Sequence, residues 1–392
     1  MSHVGLASFL LRRALVFLVA FGVQIWLLLF ARRVLLSRRV RIGLWSLFVL
    51  ANLPFAFVFV DWVANWHLAP GLYRAIVLPF MVWQVTSILV ALVVGLTLAG
   101  LWIVARVRHE TIRSTDSGRR TVLLAGTGLV ATGSVVLSSR GLGLAAGPPK
   151  VRSVAVQMPG LDPAFERVRI VQITDIHTGY FFDLARLRRL TGLVQSLRPD
   201  LVVLTGDQVH GFHPAFVRDM VQGLSGLRAP LGVIGILGNH DYRAGADLVI
   251  AAMQGAGWTV LRNDAQVLRR GTGRLYVAGI DDWKHHPNLD VALAGRLAGE
   301  PVVLLSHRPD VFNQAVSAQV DLVLAGHTHG GQVRLGPVSF AGFFTDYPYG
   351  WYRRRRTKMY VSSGVGVTGP PIRLGVLPEV AVFQLTRGTK TV

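Results

Sequence analysis

Residues 167–177 read Arg-Val-Arg-Ile-Val-Gln-Ile-Thr-Asp-Ile-His, and this stretch decides how the C-terminal half of the chain is interpreted. Its first eight residues, rich in β-branched side chains, predict a buried strand. Asp175 and His177 then place a carboxylate and an imidazole directly after that strand. Open α/β sheets bind their ligands at this end of their strands.

The same arrangement recurs after four further predicted strands. These strands cover Leu201–Thr205, Leu231–Leu237, Val302–Ser306 and Leu322–Ala325. The segments that follow them are, in order, Gly206-Asp207, Gly238-Asn239-His240-Asp241, His307 and Gly326-His327-Thr328-His329. Two more strands, Leu275–Ile280 and Val380–Leu385, and a helix that Asp183 caps and Pro199 ends complete the pattern. From Val151 onward the alternation predicts an α/β domain with a largely buried sheet.

The residue types at these strand ends are suited to a pair of metal ions. In Asp175-x-His177 and His327-x-His329, residues two apart on an extended segment project to the same side. Carboxylate, imidazole and amide oxygen suit Mn, Fe or Zn. Glycines before Asp207, Asn239 and His327 permit turns and a close approach of the backbone to an anion. Because one Asp can bridge two metals about 3.5–4 Å apart, the set can bind a phosphoryl group for in-line displacement.

The five blocks, in this order over roughly Val168 to Leu385, resemble the calcineurin-like metallophosphoesterase superfamily. The resemblance implies a four-layer α/β/β/α sandwich of two mixed sheets flanked by helices, with the site at one edge. It also implies a hydroxide that bridges two metals as nucleophile and His240 as general acid, with Asp241 orienting the His240 ring and raising its pKa. The implied ligands are Asp175, His177 and His329 for one metal, Asn239, His307 and His327 for the other, and Asp207 between the two.

Several residues outside the ligand set keep two interpretations. Arg373 either contacts a substrate phosphate bidentately or forms a structural ion pair. Asp281 and Asp282 either support the ligands or form a turn, and we favour the turn. We expect the histidines outside the blocks to lie at the surface or in the substrate cleft: His210, His213, His285 and His286. The basic run Arg353–Arg356 with Lys358 favours a membrane-facing or solvated loop over a nucleic-acid site, because Trp351 and Tyr352 adjoin it.

Composition separates the two halves of the 392-residue chain, whose net charge is +20. Hydrophobic residues make up 51% and charged residues 16%, which argues against a wholly soluble or disordered protein. Residues 1–150 hold 15 Lys and Arg but only 3 Asp and Glu. The absence of cysteine excludes disulfides, thiolate metal sites and cysteine nucleophiles.

Four apolar runs in the first half predict four membrane-spanning helices. They are Ala14–Ala31, Gly43–Val63, Ala75–Ala105 and Thr121–Leu137. Arginines cluster after the first and third runs, so the positive-inside rule places the N-terminus and the C-terminal domain outside the cytoplasm. Arg119-Arg120 ahead of the fourth run also resembles a twin-arginine export signal, but we favour an ordinary span. The predicted organisation is a membrane domain over residues 1–137, a linker over 138–150 and a metallophosphoesterase domain over 151–392.

Within the superfamily, Gly330-Gly331-Gln332 and Tyr360-Val-Ser-Ser-Gly364 resemble a membrane-associated bacterial branch, and the four spans resemble transmembrane proteins with a metallophosphoesterase domain. The leading hypothesis is a membrane-anchored phosphoesterase that uses two divalent metals on a phosphomonoester, phosphodiester or pyrophosphate of a lipid or envelope component. We expect no nucleic-acid partner. The alternative is a transporter or sensor whose external domain only binds a ligand; it is disfavoured because Asp61 is almost the sole ionisable residue within the runs.

Overall fold

The computed structural model describes residues 18–30, 37–55, 70–107, 117–211 and 214–388. The chain divides into two compact units, Met1–Leu142 and Gly143–Val392. The described part of the first unit is helical, and the second unit contains all the described strands.

Helices make up the described part of the first unit. The bounds are Leu18–Phe30 (α1), Arg38–Asn52 (α2), Leu78–Val107 (α3, preceded by Pro70–Leu72 and a π-helical turn Tyr73–Val77) and Ser117–Ala146 (α4). Among the described residues, Tyr73–Gly100 is the one helical stretch long and apolar enough to cross a membrane; it has 28 residues, and an 18-residue window within it has a mean hydropathy of 2.2. The shorter α1 is also apolar.

The prediction of four membrane spans is therefore confirmed only in part. The third run corresponds to Tyr73–Gly100 and the first overlaps α1, while residues 56–63 of the second lie outside the described residues. The fourth run lies within the 30-residue helix α4, which is not among the candidate spans found in the described residues. Residues 138–146 of the predicted linker also belong to α4, so only residues 147–149 connect it to the first strand.

A ring of side-chain amides joins α1, α2 and α3. The amide nitrogen of Gln24 donates to Gln84 Oε1 at 2.7 Å, that of Gln84 donates to Asn52 Oδ1 at 2.8 Å, and that of Asn52 donates back to Gln24 Oε1 at 2.7 Å. All three groups are neutral and satisfied by one another. Hydrogen bonds of this kind hold helices together in an apolar environment.

Two mixed six-stranded sheets form the second unit. The first has the order β1-β14-β2-β3-β4-β5 and the second the order β12-β13-β9-β8-β7-β6. The strands of the first sheet are Lys150–Met158 (β1), Arg169–Ile173 (β2), Leu201–Thr205 (β3), Val233–Ile236 (β4), Thr259–Val260 (β5) and Glu379–Arg387 (β14). Those of the second are Asp264–Arg270 (β6), Gly273–Gly279 (β7), Val302–Leu305 (β8), Leu322–Ala325 (β9), Gly350–Arg354 (β12) and Thr357–Val361 (β13). A small hairpin pairs Arg334–Leu335 (β10) with Val338–Ser339 (β11).

Three apolar cores show that the layers are stacked as helices, sheet, sheet and helices. The central core lies between the two sheets and is formed by alternate residues of their strands, such as Ile170 and Val203 from the first sheet and Val277 and Val303 from the second. The opposite face of the first sheet packs against Leu184–Ser196 (α5), Pro214–Leu224 (α6) and Asn239–Gly255 (α7). That of the second packs against Leu289–Leu293 (α8) and Phe312–Ser317 (α9). The predicted α/β sandwich is thus present in the second unit.

Each sheet contains a block of strands that run parallel to one another, which is β2, β3, β4 and β5 in the first sheet and β7, β8, β9 and β13 in the second. Strands β14, β6 and β12 pair antiparallel with β2, β7 and β13, respectively. The carboxyl ends of each parallel block therefore meet along one edge of its sheet. The loops at these ends bond to one another: the amide of Asp175 donates to Gly206 O at 3.0 Å, and the amide of Gly326 donates to His307 O at 3.0 Å. The predicted site residues lie on these loops.

Candidate metal centre

Six of the seven predicted ligands come together in two buried groups. In each group the ligand atoms all lie within 4.8 Å of one another. The groups are Asp175, His177 and His329, and Asp207, His307 and His327. Both groups draw on loops from both sheets, so the site forms only in the folded sandwich.

Asp207 lies between the two groups. Its Oδ2 is 3.6 Å from His177 Nε2 and 3.3 Å from His307 Nε2, and its Oδ1 accepts a hydrogen bond of 2.7 Å from the His240 amide. A carboxylate in this position can share one oxygen between two cations. Asn239, the seventh predicted ligand, begins α7 beside this site, with its Oδ1 3.4 Å from the Arg308 guanidinium.

Five of these residues adopt left-handed backbone conformations that side chains rarely favour. The φ angles are 53° for Asp175, 49° for His177, 53° for Asp207, 72° for His327 and 51° for His329. The extended geometry expected for Asp175-x-His177 and His327-x-His329 is therefore wrong. His329 instead faces His177, with 3.0 Å between the two Nε2 atoms, while His327 faces His307. Such conformations cost about 1–3 kcal/mol each and concentrate at functional sites.

The glycines that precede the ligands have two different roles. Gly206 has a φ of +94°, as a tight turn requires. Gly238 and Gly326 do not have positive φ, but a Cβ at either would collide with a carboxylate, that of Asp207 or that of Asp175. The turns expected at these two positions are therefore replaced by close packing against predicted ligands.

Hydrogen bonds and charge tune the buried ligands. His307 Nδ1 donates to Thr205 O at 2.9 Å, which directs Nε2 toward the site. Although burial opposes it, the negative charge of Asp207 raises the pKa of His307 to about 10. Burial raises the pKa of Asp175 to about 6 and lowers the pKa of His177 and His329 well below the ordinary value for histidine.

This donor set fits two divalent cations of intermediate hardness. Two pairs of imidazole nitrogens face each other at 3.0 and 3.2 Å, and carboxylate oxygens lie close to both pairs. A neutral imidazole carries only one N–H proton, so hydrogen bonds cannot satisfy all these nitrogen and oxygen atoms at once. Neutral imidazoles and carboxylates are the forms that bind metal, and a cation would displace the proton from His307 Nε2. The chemistry of these residues is therefore that of a metal site whose ligands are oxygen and nitrogen atoms.

Comparisons with known proteins give the family. The calcineurin-like phosphoesterase family model matches residues 168–331. The chain is 34% identical over 233 residues to the uncharacterized metallophosphoesterase YkuE of Bacillus subtilis (strain 168), which covers 56% of this chain and 80% of the relative. The chain belongs to the calcineurin-like metallophosphoesterase family. It is therefore a phosphoric ester hydrolase, as the sequence predicted.

Two other comparisons concern a second relative and a solved structure. A transmembrane protein with metallophosphoesterase domain from Danio rerio is 33% identical over 298 residues, which cover 72% of this chain and 66% of the relative. Among solved structures, phosphopantetheinyl hydrolase PptH from Mycobacterium tuberculosis covers 53% of this chain and 91% of its own, at 15% identity and a TM-score of 0.33. The match to the Danio rerio protein is longer than that to YkuE, at 298 residues against 233.

The structure corrects the predicted relation between Asp241 and His240. The Asp241 carboxylate accepts from the amides of Gly238 at 2.8 Å and Val209 at 3.1 Å, so it caps α7 and does not orient the His240 ring. Burial lowers the pKa of His240 to about 3, opposite to the expected direction. Because the Arg243 guanidinium can only donate, its 3.3 Å contact makes His240 Nε2 an acceptor and leaves the proton on Nδ1.

His210 lies closer to the metallophosphoesterase centre than the sequence suggested. Its Nδ1 is 3.3 Å from His177 Nδ1, and its ring stacks on His240 with centroids 5.1 Å apart. His177, His210 and His240 form a third group of possible metal donors. His285 instead stacks on Tyr242, away from these groups, and His213 lies outside the described residues. The only available signal for His210 was its position three residues after Asp207.

Arg308 is a residue that sequence reasoning missed. Its guanidinium bonds to Asp282 at 2.7 Å and lies 2.7 Å from His327 Nε2 and 3.4 Å from Asn239 Oδ1. Asp282 begins the 3-10 turn Trp283–His285, as favoured, and its fully buried side chain also supports the site through Arg308. Asp281 pairs with Arg262 at 3.2 Å. Adjacency to His307 was the cue that could have identified Arg308.

Arg373 is buried in a loop rather than directed toward a substrate. Its guanidinium donates to the carbonyl oxygens of Ser363 at 2.7 Å, Gly364 at 3.1 Å, Gly366 at 2.5 Å and Leu377 at 3.3 Å. Its side chain is fully buried, which contradicts the expected substrate contact, and Arg373 forms no ion pair with the described residues. The loop it holds matters for this metallophosphoesterase because the amide of Gly366 donates to Asp175 O at 2.8 Å.

The basic run forms the tip of the β12–β13 hairpin. Arg356 pairs with Asp321, Arg354 donates to Asn313 Oδ1 at 2.6 Å, and Lys358 bonds to Gln157 O. Three of the basic side chains that were predicted to face a membrane or solvent therefore bind groups within the domain. The membrane-facing role of this loop stays a prediction.

Proposed function

We propose that the chain is a membrane-anchored phosphoesterase that uses two metal ions to hydrolyse a phosphate ester of a lipid or envelope component outside the cytoplasm. The observation that carries the proposal is the pair of buried donor groups with Asp207 between them. No simpler structural role accounts for two clusters of facing imidazoles at the carboxyl ends of parallel strands.

The proposed ligand sets follow these two groups. One metal would be held by Asp175, His177 and His329, the other by Asn239, His307 and His327, with Asp207 shared. Mn, Fe and Zn all suit these donors. Bound there, such ions would polarise the phosphoryl oxygens and activate the attacking water.

Two further side chains would act on the substrate itself. His240 holds a proton on Nδ1, which is buried and has no hydrogen-bond partner among the described residues, and we propose that this N–H donates a hydrogen bond to the leaving oxygen. Arg308 lies beside both His327 and Asn239 and is 22% exposed, so its guanidinium can bind a phosphoryl oxygen in the same cleft.

The membrane part of the proposal has separate support. The stretch Tyr73–Gly100 is long enough to span a bilayer, and a relative is named as a transmembrane protein. Four spans and an extracytoplasmic catalytic domain follow from the apolar runs and the arginine asymmetry. Anchoring raises the effective concentration of substrates that share the membrane, which favours a lipid-borne ester.

The test is release of phosphate or of a phosphorylated product by the purified full chain with Mn²⁺. Asp207→Asn should lose turnover and bound metal, because an amide cannot share a charged oxygen between two cations. Asp247→Asn, an exposed position on α7, is the matched control and should keep both. Full activity of Asp207→Asn, or inactivity of the metal-loaded chain toward a broad set of esters, would contradict the proposal and favour the transporter or sensor alternative.

A further inference from the structure

A cavity of about 460 Å³ adjoins the candidate metal centre. Its walls include His327 and His329 from the centre and Arg308 beside them. Cavities of roughly 300–1,000 Å³ hold small organic ligands. The volume is therefore much larger than a phosphoryl group alone requires.

The polar side of this cavity is concentrated at Arg308 and the two histidines. Three other polar side chains on its walls form hydrogen bonds within the protein. Thr328 Oγ1 donates to Pro348 O at 2.7 Å, Gln332 Oε1 accepts from the Thr368 amide at 2.8 Å, and Asp310 Oδ1 accepts from Thr345 Oγ1 at 3.2 Å. Arg308 is thus the cationic side chain on the cavity wall, and a phosphate group would bind at this side.

The other side of the cavity is apolar and unusually exposed. Phe340 and Phe344 line it, with 60% and 78% of their surfaces exposed, together with Ala341 and Pro370. The two rings contact each other, with centroids 5.5 Å apart. Large exposed phenyl groups beside a cleft mark a place where an apolar ligand binds.

The aromatic side is tied directly to the loop that carries His329. Ser339 Oγ donates to Gly330 O at 2.7 Å, and the Phe340 amide donates to Val333 O at 3.1 Å. Gly331 packs so closely that a Cβ there would lie 2.6 Å from Ser339 Oγ. The phenyl groups therefore have a defined position relative to the metal centre.

We propose that this cavity selects amphiphilic phosphate esters, with the phosphoryl group at Arg308 and a hydrocarbon group against Phe340 and Phe344. This inference rests on the proposed function and specifies the substrate class of the same site. Hydrolysis breaks the bond between phosphorus and the ester oxygen; the water oxygen goes to phosphorus, and a proton goes to the departing alcohol. The alcohol that departs carries the hydrocarbon group.

The experiment uses the full chain in lipid nanodiscs with Mn²⁺ and a series of alkyl phosphates from ethyl to octyl, below their micelle concentrations. The value of kcat/KM should rise by up to about fourfold for each methylene group that the cavity buries. Octylphosphonate, which is not hydrolysed, should bind more tightly than ethylphosphonate in calorimetric titration. Phe344→Ser should flatten both dependences, so that the ratio of kcat/KM for octyl phosphate to that for ethyl phosphate falls toward one.

Phe343→Ser is the matched control. Phe343 is 73% exposed on the same turn but does not line the cavity, so its substitution should leave the chain-length dependence intact. If Phe343→Ser flattens the dependence as much as Phe344→Ser, the aromatic turn contacts the bilayer instead and the proposal fails. Equal kcat/KM for all chain lengths also overturns it, while the hydrolysis itself upholds the phosphoesterase. Inactivity toward every ester contradicts the proposed function. In that case the phosphonate titration still shows whether the cavity binds the longer hydrocarbon chain more tightly.

Discussion

Replacing Gly238 by alanine tests how accurately Asp207 must be positioned. Gly238 caps α7 with a φ of −103°, so alanine is allowed by the backbone and the effect is steric. The added Cβ would overlap Asp207 Oδ1 and the Asp207 amide, and would lie 2.8 Å from Asp207 Cγ. Ordinary contact begins at 3.4 Å, so the carboxylate must move by at least about 0.6 Å.

A shift of this size exceeds what the proposed chemistry tolerates. Catalytic groups must be held within about 0.5 Å of their working positions, and a misplacement of about 1 Å can cost roughly 10²-fold in rate. Gly238→Ala should therefore lower kcat/KM by about 10²-fold and reduce the free energy of unfolding by about 1–3 kcal/mol. The steady-state rate with Mn²⁺, metal content and a thermal melt separate these effects.

Gly255→Ala is the control for a glycine on the same helix. A Cβ at Gly255 meets nothing within 4 Å, so this variant should keep full activity and be at least as stable as the parent. The reasoning would be refuted by a folded Gly238→Ala protein that binds metal and retains activity within about threefold of the parent. In that case the carboxylate position does not limit turnover.

Two further outcomes follow from the same site. Arg373→Met removes the donor to four backbone carbonyls and should lower the free energy of unfolding by at least about 3 kcal/mol. An unchanged denaturation midpoint would show that the loop holds its conformation without Arg373. Removal of the metal by a chelator should abolish activity but leave the second unit folded. Its melting temperature should be roughly 5–10 °C lower than that of the protein with metal at about a hundred times the Kd. Complete loss of far-ultraviolet circular dichroism on chelation would contradict a preformed site.

The central strands and the ligand blocks could be predicted because they obey local rules. Leu201–Thr205 and Leu322–Ala325 are buried along their whole length, so they read as uninterrupted apolar runs, and the structure gives the same bounds. Asp207 and His327 each follow such a strand at the second position. Parallel pairing then brings these ends together without further information.

Edge strands and supporting contacts could not be predicted in the same way. Strand β6 reads Asp-Ala-Gln-Val-Leu-Arg-Arg and strand β12 reads Gly-Trp-Tyr-Arg-Arg, and both are largely exposed, so neither has a clear apolar pattern. Arg308 pairs with Asp282, 26 positions away, and Arg373 binds carbonyls of its own loop. Such contacts depend on how loops from separate strands fold against one another, which spacing alone does not show.

The backbone at the site shows that its geometry comes from the sandwich and not from the metal ligands themselves. Each left-handed ligand costs about 1–3 kcal/mol, and the five together are costly relative to the net stability of an ordinary domain. Hydrogen bonds between the loops oppose this cost, including that from the His177 amide to Asp207 O at 3.0 Å and that from the Gly326 amide to His307 O at 3.0 Å. Three apolar cores hold the strands that carry these loops. The side chains on this strained backbone can therefore keep their positions relative to one another before any cation binds. A site that binds metal without refolding requires this.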